Sequence, residues 1–260
     1  MKILLTNDDG IDALGLQSVI HTLKGKNELY VAAPTQQRSG FSHSATYFMK
    51  DCMAYPKEID GVKGAWAIDG TPADCAFVGS QILMDEKPDL IISGINHGEN
   101  TATDCIYSGT IGAASEGLIF GIPAIAISLC SDTSKDFALS CKILEKMMPL
   151  YMEDKNKYQY VLNINLPDLK EEEVKGILVT SLDFSKEYQN ILRKEVLEDG
   201  SIRCICENYG MEMNLPLGEL PQTDAQAIQA GYISISPINH DICATKYLSN
   251  LKRYQHVLER

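Results

Sequence analysis

The sequence predicts an α/β protein in which helices cover a parallel sheet. Two observations lead to this fold class. Strand-like and helix-like patterns alternate through the first half of the chain, and the strand-like runs are short and almost entirely apolar. Such an alternation is typical of parallel strands joined by helical crossovers. With 260 residues, of which 45% are hydrophobic, the chain can bury a core of this kind.

Each predicted element of the first half follows from its own pattern. Residues 2–6 and 29–33 are short apolar strands, and Pro34 ends the second. Apolar side chains at helical spacing predict a helix over 16–23. Thr71 and Pro72 suit the N-cap and the first helical position of a helix over 73–83. The other predicted elements of this half are strands over 65–68, 90–92 and 124–129, and a helix of small residues over 111–118.

The second half gives weaker patterns. Residues 161–166 and 177–180 are predicted as strands, and residues 202–206 as one arm of a hairpin. The alternating run 232–237 predicts a late strand that stops at Pro237. Residues 243–260 are predicted as a terminal helix, because Leu248, Leu251, Tyr254 and Leu258 would form one apolar stripe.

Composition excludes several classes of function. The formal charge of −12 argues against a stable nucleic-acid partner, because no basic stripe could neutralise phosphates. No apolar run of about 18 residues predicts a membrane span, and the N-terminus does not resemble a signal peptide. The eight cysteines are scattered without a CxxC pair, which indicates reduced thiols and a cytoplasmic location. An anionic substrate would need a metal ion for most of its charge compensation.

Asn7-Asp8-Asp9-Gly10 is the most informative segment, because two carboxylates follow the first strand directly. If the chain turns at Gly10, both acids can face one point, where a Mg²⁺ or Mn²⁺ ion would relieve their repulsion. The carboxyl end of a strand is also where open α/β sheets bind ligands. On these four residues alone, an Asx turn with a helix cap is the favoured explanation.

Three further loops follow predicted strands. Residues 37–44 are rich in hydrogen-bonding groups and include Ser39, a neutral oxygen ligand that Mg²⁺ accepts. Residues 70–74 are explained by helix capping alone. In the long irregular stretch 93–109, Asn96 follows the central strand, and Ser108, Gly109 and Thr110 precede a helix whose N-terminus favours an anion. A loop of that length is uncommon unless it is functional. His43 and His97 could assist a leaving group or simply be exposed.

Together these residues resemble the SurE survival proteins, a family of metal-dependent nucleotidases. The resemblance rests on motifs along most of the chain, in the family's order and spacing: LLTNDDGIDALG, AAPTQQRSGFSHSAT, DGTPADC, PDLIISGINHGEN, YSGTIGAASEG, GIPAIAIS and TDAQAIQAGYISISP. It implies a Rossmann-like core over residues 1–150, with helices on both faces of the sheet. It also implies that residues 151–260, with a hairpin and a terminal helix, exchange between the subunits of a homodimer or homotetramer, the whole chain forming one domain.

The resemblance also implies the site. It assigns one divalent metal ion per subunit, Mg²⁺ or Mn²⁺, to Asp8, Asp9, Ser39 and Asn96, with Asp8, Asp9 and Asn96 as catalytic residues. It assigns phosphate and substrate contacts to Asn100, Ser108, Gly109 and Thr110. One departure stands out, because Ala102 occupies a position where the family usually has glycine.

The implied activity is hydrolysis of nucleoside 5′- and 3′-monophosphates to nucleoside and phosphate, with short polyphosphate left open as a further substrate. Attack by a metal-bound water is expected, although a covalent aspartyl-phosphate route stays open. A haloacid-dehalogenase-type phosphatase is disfavoured because Asp8 and Asp9 are adjacent rather than one residue apart. A receiver domain is disfavoured because no aspartate directly follows the strand that ends at Ser93. A dinucleotide-binding enzyme is disfavoured because no GxGxxG motif follows the first strand.

Overall fold

The computed structural model describes residues 1–184, 190–208 and 220–255. Within them, nine strands form one sheet and two further strands pair separately. The strands are β1 (Lys2–Thr6), β2 (Glu28–Pro34), β3 (Ala54–Pro56), β4 (Gly64–Ile68), β5 (Leu90–His97), β6 (Ala124–Cys130), β7 (Val161–Pro167), β8 (Ile177–Val179), β9 (Asn190–Val196), β10 (Ile202–Asn208) and β11 (Ile233–Ile238). The helices are α1 (Leu14–Leu23), α2 (Pro72–Val78), α3 (Asp104–Tyr107), α4 (Gly109–Ile119), α5 (Ala138–Glu153), α6 (Asp224–Gln229) and α7 (Leu248–Leu251).

The large sheet has the strand order β3-β4-β2-β1-β5-β6-β7-β11-β8. The six strands from β4 to β7 are parallel, which confirms the predicted parallel sheet, whereas β3 and β11 run antiparallel to their neighbours β4 and β7. The chain moves outward from β1 through β2 to β4 and then returns to place β5 on the other side of β1. Strand order therefore reverses between β1 and β5, and open α/β sheets bind ligands at the carboxyl ends of the strands at such a switch point.

Helices cover both faces of this sheet, as predicted. Successive strand residues point to opposite faces, so Leu5 of β1 joins a core cluster with α1 and α5, while Leu4 joins a second cluster with α2 and α4. Both leucines are fully buried. The two faces thus anchor β1 from both sides, and the residues that follow it have a fixed starting point.

Several elements were not predicted from the sequence. The helix α5 has buried side chains at helical spacing, but Pro149 lies inside it and its apolar positions are largely Cys, Met and Tyr. The short elements β3, α3 and α6 are three to six residues long and give little periodicity. The strand β5 extends to His97 with an irregularity in its pairing to β6 between Ser93 and Asn96. The loop predicted to start at Ser93 therefore starts later.

Two predictions about the C-terminal part are wrong in detail. Residues 243–255 do not form one helix: short turns of helix cover 245–254, and α7 has only four residues. Its apolar side chains bury little surface in this chain, since Leu248 and Leu251 are more than half exposed, and unpacked short helices are marginal. Residues 256–260 lie outside the described residues. The strand β11 continues through Pro237 to Ile238, because β8 pairs with it only as far as Ile235.

The predicted strand over 177–180 and the predicted hairpin are confirmed by β8 and by the antiparallel pair β9–β10. In the described part of the chain, no helix is long and apolar enough to cross a membrane. No disulfide joins the eight cysteines, all of which fall within the described ranges.

Candidate active site

The turn after β1 is built by Asn7 and Gly10. The Asn7 amide donates to the Gly10 carbonyl (2.8 Å) and accepts from the Gly10 N–H (3.2 Å). Gly10 has a φ of +104°, a conformation that only glycine adopts readily. Asn7 therefore carries the turn. The N-cap of α1 is Ala13, with no side-chain cap, so neither aspartate serves as a helix cap and the turn-and-cap interpretation does not account for them.

Asp8 is a buried carboxylate with one strong protein partner. Its side chain is buried, and the Thr110 hydroxyl donates to its Oδ1 atom at 2.5 Å. The pKa of Asp8 is raised to about 6, because the effect of burial, with a smaller addition from the negative charge of Asp9, outweighs the lowering by the Thr110 hydrogen bond. A carboxylate in this state lacks a positive charge beside it.

Asp9 connects the first loop to two others. Its Oδ2 atom accepts a hydrogen bond from the His97 N–H at 3.1 Å, at the end of β5. Burial raises its pKa, while the His97 bond and a side-chain hydrogen bond from Gln37 lower it. The Gln37 amide also donates to the Ser39 hydroxyl at 3.1 Å, so one side chain links Asp9 to Ser39. The exposed Ser39 follows Arg38, whose N–H donates to the Asp8 carbonyl at 2.7 Å.

The side-chain amide of Asn96 uses its nitrogen within the protein, which leaves its oxygen as the atom that can bind a cation. The Asn96 side chain is buried, and its amide nitrogen donates to the Gly98 carbonyl at 2.9 Å. The side-chain oxygens of Asp8, Asp9, Ser39 and Asn96 are all hard donors of the kind that Mg²⁺ and Mn²⁺ prefer. Among the described residues, no three His, Cys, Asp or Glu side chains are grouped to hold a metal. A cation at this point would therefore depend on two carboxylates together with neutral oxygens.

The N-terminus of α4 packs directly against Asp8. The Ser108 hydroxyl caps the helix by accepting from the Ile111 N–H at 3.0 Å. A Cβ on Gly109 would lie 2.8 Å from the Asp8 Cβ and 2.9 Å from a Pro72 ring carbon, so only glycine allows this approach. The first N–H groups of a helix have no acceptor within it, and they favour an anion. The structure thus brings the start of α4, Ser108 to Thr110, beside Asp8.

Asn100 is held inside the protein by a polar network. Its N–H donates to Asn165 Oδ1 (2.8 Å), and its carbonyl accepts from the amides of Asn163 (2.9 Å) and Asn165 (3.0 Å). Its own amide nitrogen donates to the Ser128 hydroxyl at 2.7 Å. Two asparagines on one face of β7 therefore fix the loop between Asn96 and Ser108. The buried location of Asn100 makes it a fixed point of that loop.

Ala102 adopts a conformation that favours glycine. It is fully buried and has a φ of +53°. Its N–H donates to Asp224 Oδ2 at 2.8 Å, and Asp224 Oδ1 accepts from the N–H groups of Asp183 and Ala225. The first residue of α6 thus holds the loop through its carboxylate. This C-terminal contact explains how alanine is kept in a left-handed conformation here.

Two buried acids hold the loop that carries Ser39. Asp74 of α2 accepts from the Thr46 N–H (2.7 Å), the Thr46 hydroxyl (2.5 Å) and the Tyr47 N–H (3.1 Å). Glu116 of α4 accepts from the Tyr47 hydroxyl (2.7 Å) and lies 2.6 Å from His43 Nε2. Asp74 also completes the capping box with Thr71, as the capping prediction for residues 70–74 requires. Its second task, holding the loop, was not predicted.

The two loop histidines have partners within the protein. His43 is paired with Glu116, and His97 Nε2 lies 2.7 Å from the Ser134 carbonyl oxygen. The centroids of the His97 and Phe137 rings are 4.8 Å apart, and the rings meet edge to face. These contacts give both rings a structural task.

The chain is similar to proteins of one known family over most of its length. The chain matches the family described as Survival protein SurE over residues 3–189. It belongs to the SurE family. A 5'-nucleotidase SurE from Syntrophomonas wolfei is 38% identical over 266 residues, covering 99% of this chain and 97% of that protein. One from Thermoanaerobacter sp. is 37% identical over 260 residues, covering both chains fully.

Solved structures agree with the sequence comparison. The crystal structure of the SurE protein from Aquifex aeolicus superposes with a TM-score of 0.82 at 32% identity, covering 98% of this chain and 99% of that one. The Rossmann-like α/β fold implied by the resemblance is therefore confirmed.

Sequence reasoning missed the residues that support the candidate site rather than form it. They are Gln37, Asp74, Glu116, Ser128, Asn163, Asn165 and Asp224. One signal was present for two of them: Asn163 and Asn165 alternate with apolar residues within a strand that is otherwise buried. Polar side chains on one face of a buried strand must find partners, and these find the backbone of Asn100.

Proposed function

We propose that this SurE protein is a metal-dependent phosphomonoesterase that hydrolyses nucleoside monophosphates. The observation that carries the proposal is the pair of adjacent carboxylates, buried Asp8 and half-buried Asp9, with Asp8 in direct contact with the N-terminus of α4 at the switch point. The names of the relatives from Syntrophomonas wolfei and Thermoanaerobacter sp., 5'-nucleotidase SurE, support the same activity. Hydrolysis of short polyphosphate is a further activity that the same site could support.

One divalent ion, Mg²⁺ or Mn²⁺, would be held by Asp8, Asp9, Ser39 and Asn96. The donor set fits such an ion, because all four donors are oxygens and the raised pKa values of both aspartates indicate a missing positive charge. When bound, the ion supplies Lewis-acid polarisation of a phosphoryl oxygen and lowers the pKa of a bound water.

The chain itself orients the substrate and handles the proton. The N–H groups of the first turn of α4, with Ser108, Gly109 and Thr110, would bind phosphate oxygens and stabilise the charge that builds on them. One carboxylate of the Asp8–Asp9 pair would accept the proton of the water that attacks phosphorus in line with the leaving oxygen. Asn100 would act by fixing the loop that positions Asn96 and Ser108.

Phosphate release tests this proposal. Purified protein is incubated with 5′- and 3′-nucleoside monophosphates in the presence of Mg²⁺, Mn²⁺ or EDTA. We expect release with a metal and loss of release with EDTA, and the panel ranks the nucleotides. If no nucleotide releases phosphate with either metal, the proposed activity is wrong, although the SurE fold stands.

We also propose that the chain forms a homodimer or homotetramer through residues 151–260. Apolar side chains near the C-terminus are left uncovered in one chain: Ile242 is 97% exposed, and Tyr247, Leu248, Leu251 and Tyr254 are each more than half exposed. Large exposed apolar patches on soluble proteins commonly mark interfaces.

Light scattering after size exclusion tests the oligomer. Changing Ile242, Leu248 and Leu251 together to serine should shift the protein toward monomers, whereas changing the exposed Leu150 of α5 to serine should not. An unchanged oligomer in the triple variant would contradict this assignment. The division of the chain near residue 150 and its cytoplasmic location stay predictions.

A further inference from the structure

An exposed aromatic ring borders the candidate active site. Phe41 lies two residues after Ser39, in a loop whose other side chains are mostly polar, and it is 42% exposed. An exposed apolar ring beside a polar site can form an apolar wall for a ligand, since ligand sites combine a few polar groups with apolar surface.

Hydrogen bonds on both sides fix the position of Phe41. Before it, the Arg38 N–H donates to the Asp8 carbonyl at 2.7 Å; after it, the Ser42 N–H donates to the Tyr107 carbonyl at 2.8 Å. Because one peptide unit separates Phe41 Cα from the Ser42 nitrogen, that Cα lies within about 5 Å of the Tyr107 carbonyl oxygen. Tyr107 directly precedes Ser108. Phe41 is therefore placed between the carboxylate loop and the start of the phosphate segment.

The loop conformation holds the ring at this place. Ser42 has a φ of +56°, which L side chains rarely adopt, and its hydroxyl is anchored by donating to the Ile106 carbonyl at 2.6 Å. The Arg38 guanidinium carbon lies 5.4 Å from the centroid of the Phe41 ring, within the range of a cation–π contact. The ring is thus supported in an exposed position beside the site.

We propose that Phe41 is the stacking surface for the nucleobase of the substrate. This inference rests on the proposed nucleotidase activity. A nucleotide whose phosphate is bound at Ser108–Thr110 would have its base near the loop that carries Phe41. Ligand sites combine a few polar groups with apolar walls, and a planar base stacks well on an aromatic ring. Exposed Ile106 and Tyr107 at the end of α3 extend the apolar border on the other side. Phe41 would thus favour nucleotides over phosphate esters without a base.

The test compares a substrate that has a base with one that lacks it. Wild type, Phe41→Ala, Phe41→Trp and Tyr158→Ala are assayed with a purine nucleoside 5′-monophosphate and with ribose 5-phosphate. Tyr158 is a matched control, since it is exposed and also has a cation 5.4 Å from its ring, Lys157. It precedes β7 and so lies at the amino ends of the parallel strands, opposite the end that carries the candidate site. Nucleoside binding by calorimetry provides a second readout that needs no turnover.

For Phe41→Ala, we expect kcat/KM on the nucleotide to fall about 5- to 150-fold, mainly through KM, the equivalent of about 1–3 kcal/mol of base stacking. For the same variant, kcat/KM on ribose 5-phosphate should change less than about twofold. Phe41→Trp should retain activity on the nucleotide, and Tyr158→Ala should match wild type on both substrates. Equal losses on both substrates, an unchanged nucleotide KM, or a changed oligomeric state that accounts for the loss would overturn the proposal. If wild type hydrolyses neither substrate, the proposed activity fails, and Phe41-dependent nucleoside binding then decides the stacking role by itself.

Discussion

At the scale of single residues, Asp8 has conflicting requirements. Its burial between Thr110 and Gly109 disfavours the charged form, and the neighbouring Asp9 adds repulsion, yet the Thr110 hydroxyl donates to the carboxylate. The metal-free protein therefore holds a proton on Asp8 more tightly than an unfolded chain does. The same arrangement becomes favourable when a cation neutralises both acids.

The raised pKa of Asp8 predicts a pH-dependent stability in the absence of metal. Since the folded state has a pKa of about 6 and the unfolded value is 3.8, the folded state binds more protons between these pH values. The contribution of Asp8 to the free energy of unfolding is fully present below about pH 4 and is lost as the pH rises through 6. This loss amounts to about 3 kcal/mol. Asp8→Asn should lack that loss.

Urea unfolding in EDTA from pH 4 to pH 7.5 measures this difference, with the exposed Asp12→Asn as control. The stability of wild type and Asp12→Asn should fall relative to Asp8→Asn as the pH rises. Parallel curves for all three proteins would show that Asp8 has an ordinary pKa.

Ala102 provides a second prediction at this scale. A left-handed conformation costs an L residue about 1–2 kcal/mol, which Ala102→Gly would relieve, while the lost methyl group and the more flexible unfolded chain cost a similar amount. Ala102→Gly should therefore change the free energy of unfolding by less than about 1 kcal/mol. The buried helical Ala113→Gly has no strain to relieve and should cost about 2 kcal/mol. Urea unfolding measures both free energies, and equal decreases for Ala102→Gly and Ala113→Gly would argue against strain at Ala102.

At the scale of elements, α4 is the part of the fold that joins the site together. Its first turn contacts Asp8 through Gly109 and Thr110, and its buried Glu116 holds the loop that carries Ser39. Its small residues let it approach closely on two sides, since a Cβ on Gly112 would lie 2.5 Å from the Ser42 carbonyl oxygen. Moving this helix by a fraction of an ångström would therefore change the proposed metal and phosphate contacts together.

Two alanine substitutions in α4 distinguish its role in positioning the candidate site from its contribution to the stability of the fold. Gly109→Ala places a Cβ 2.8 Å from the Asp8 Cβ, so the helix or the carboxylate must move, and we expect kcat/KM to fall at least about tenfold. Gly117→Ala meets the flexible end of Ile91 at 2.6 Å, on the core side, and should affect stability rather than turnover. Unfolding curves and kinetics on both variants test this. Wild-type kinetics for Gly109→Ala would contradict the close approach at Asp8.

At the scale of the whole molecule, sequence reasoning recovered what is local and missed what is distant. The turn at Asp8 and Asp9 depends on Asn7 and Gly10, only a few residues away, and so it can be predicted from the pattern. The partners of Glu116 and Asn165 lie 73 and 65 residues away in sequence, and nothing in a local pattern identifies them. The terminal helix was predicted wrongly because its apolar stripe gains nothing unless another surface covers it.

The whole molecule also determines where the site lies. Asp8, Ser39, Asn96 and Ser108 come from four separate segments at the carboxyl ends of the parallel strands, where strand order reverses between β1 and β5. The family resemblance assigned these residues from motifs, and the topology explains why those motifs follow strand ends.

The most direct test of this account measures Mn²⁺ binding by calorimetry and Mn²⁺-dependent phosphate release from a nucleoside monophosphate on the same samples. Wild type, Asp8→Asn, Asp9→Asn and the control Asp12→Asn are compared at pH 7.5. We predict that both site variants lose Mn²⁺ affinity and at least about a hundredfold in turnover, while Asp12→Asn matches wild type. Near-normal Mn²⁺ affinity and phosphate release in Asp8→Asn would contradict the assignment of the metal site.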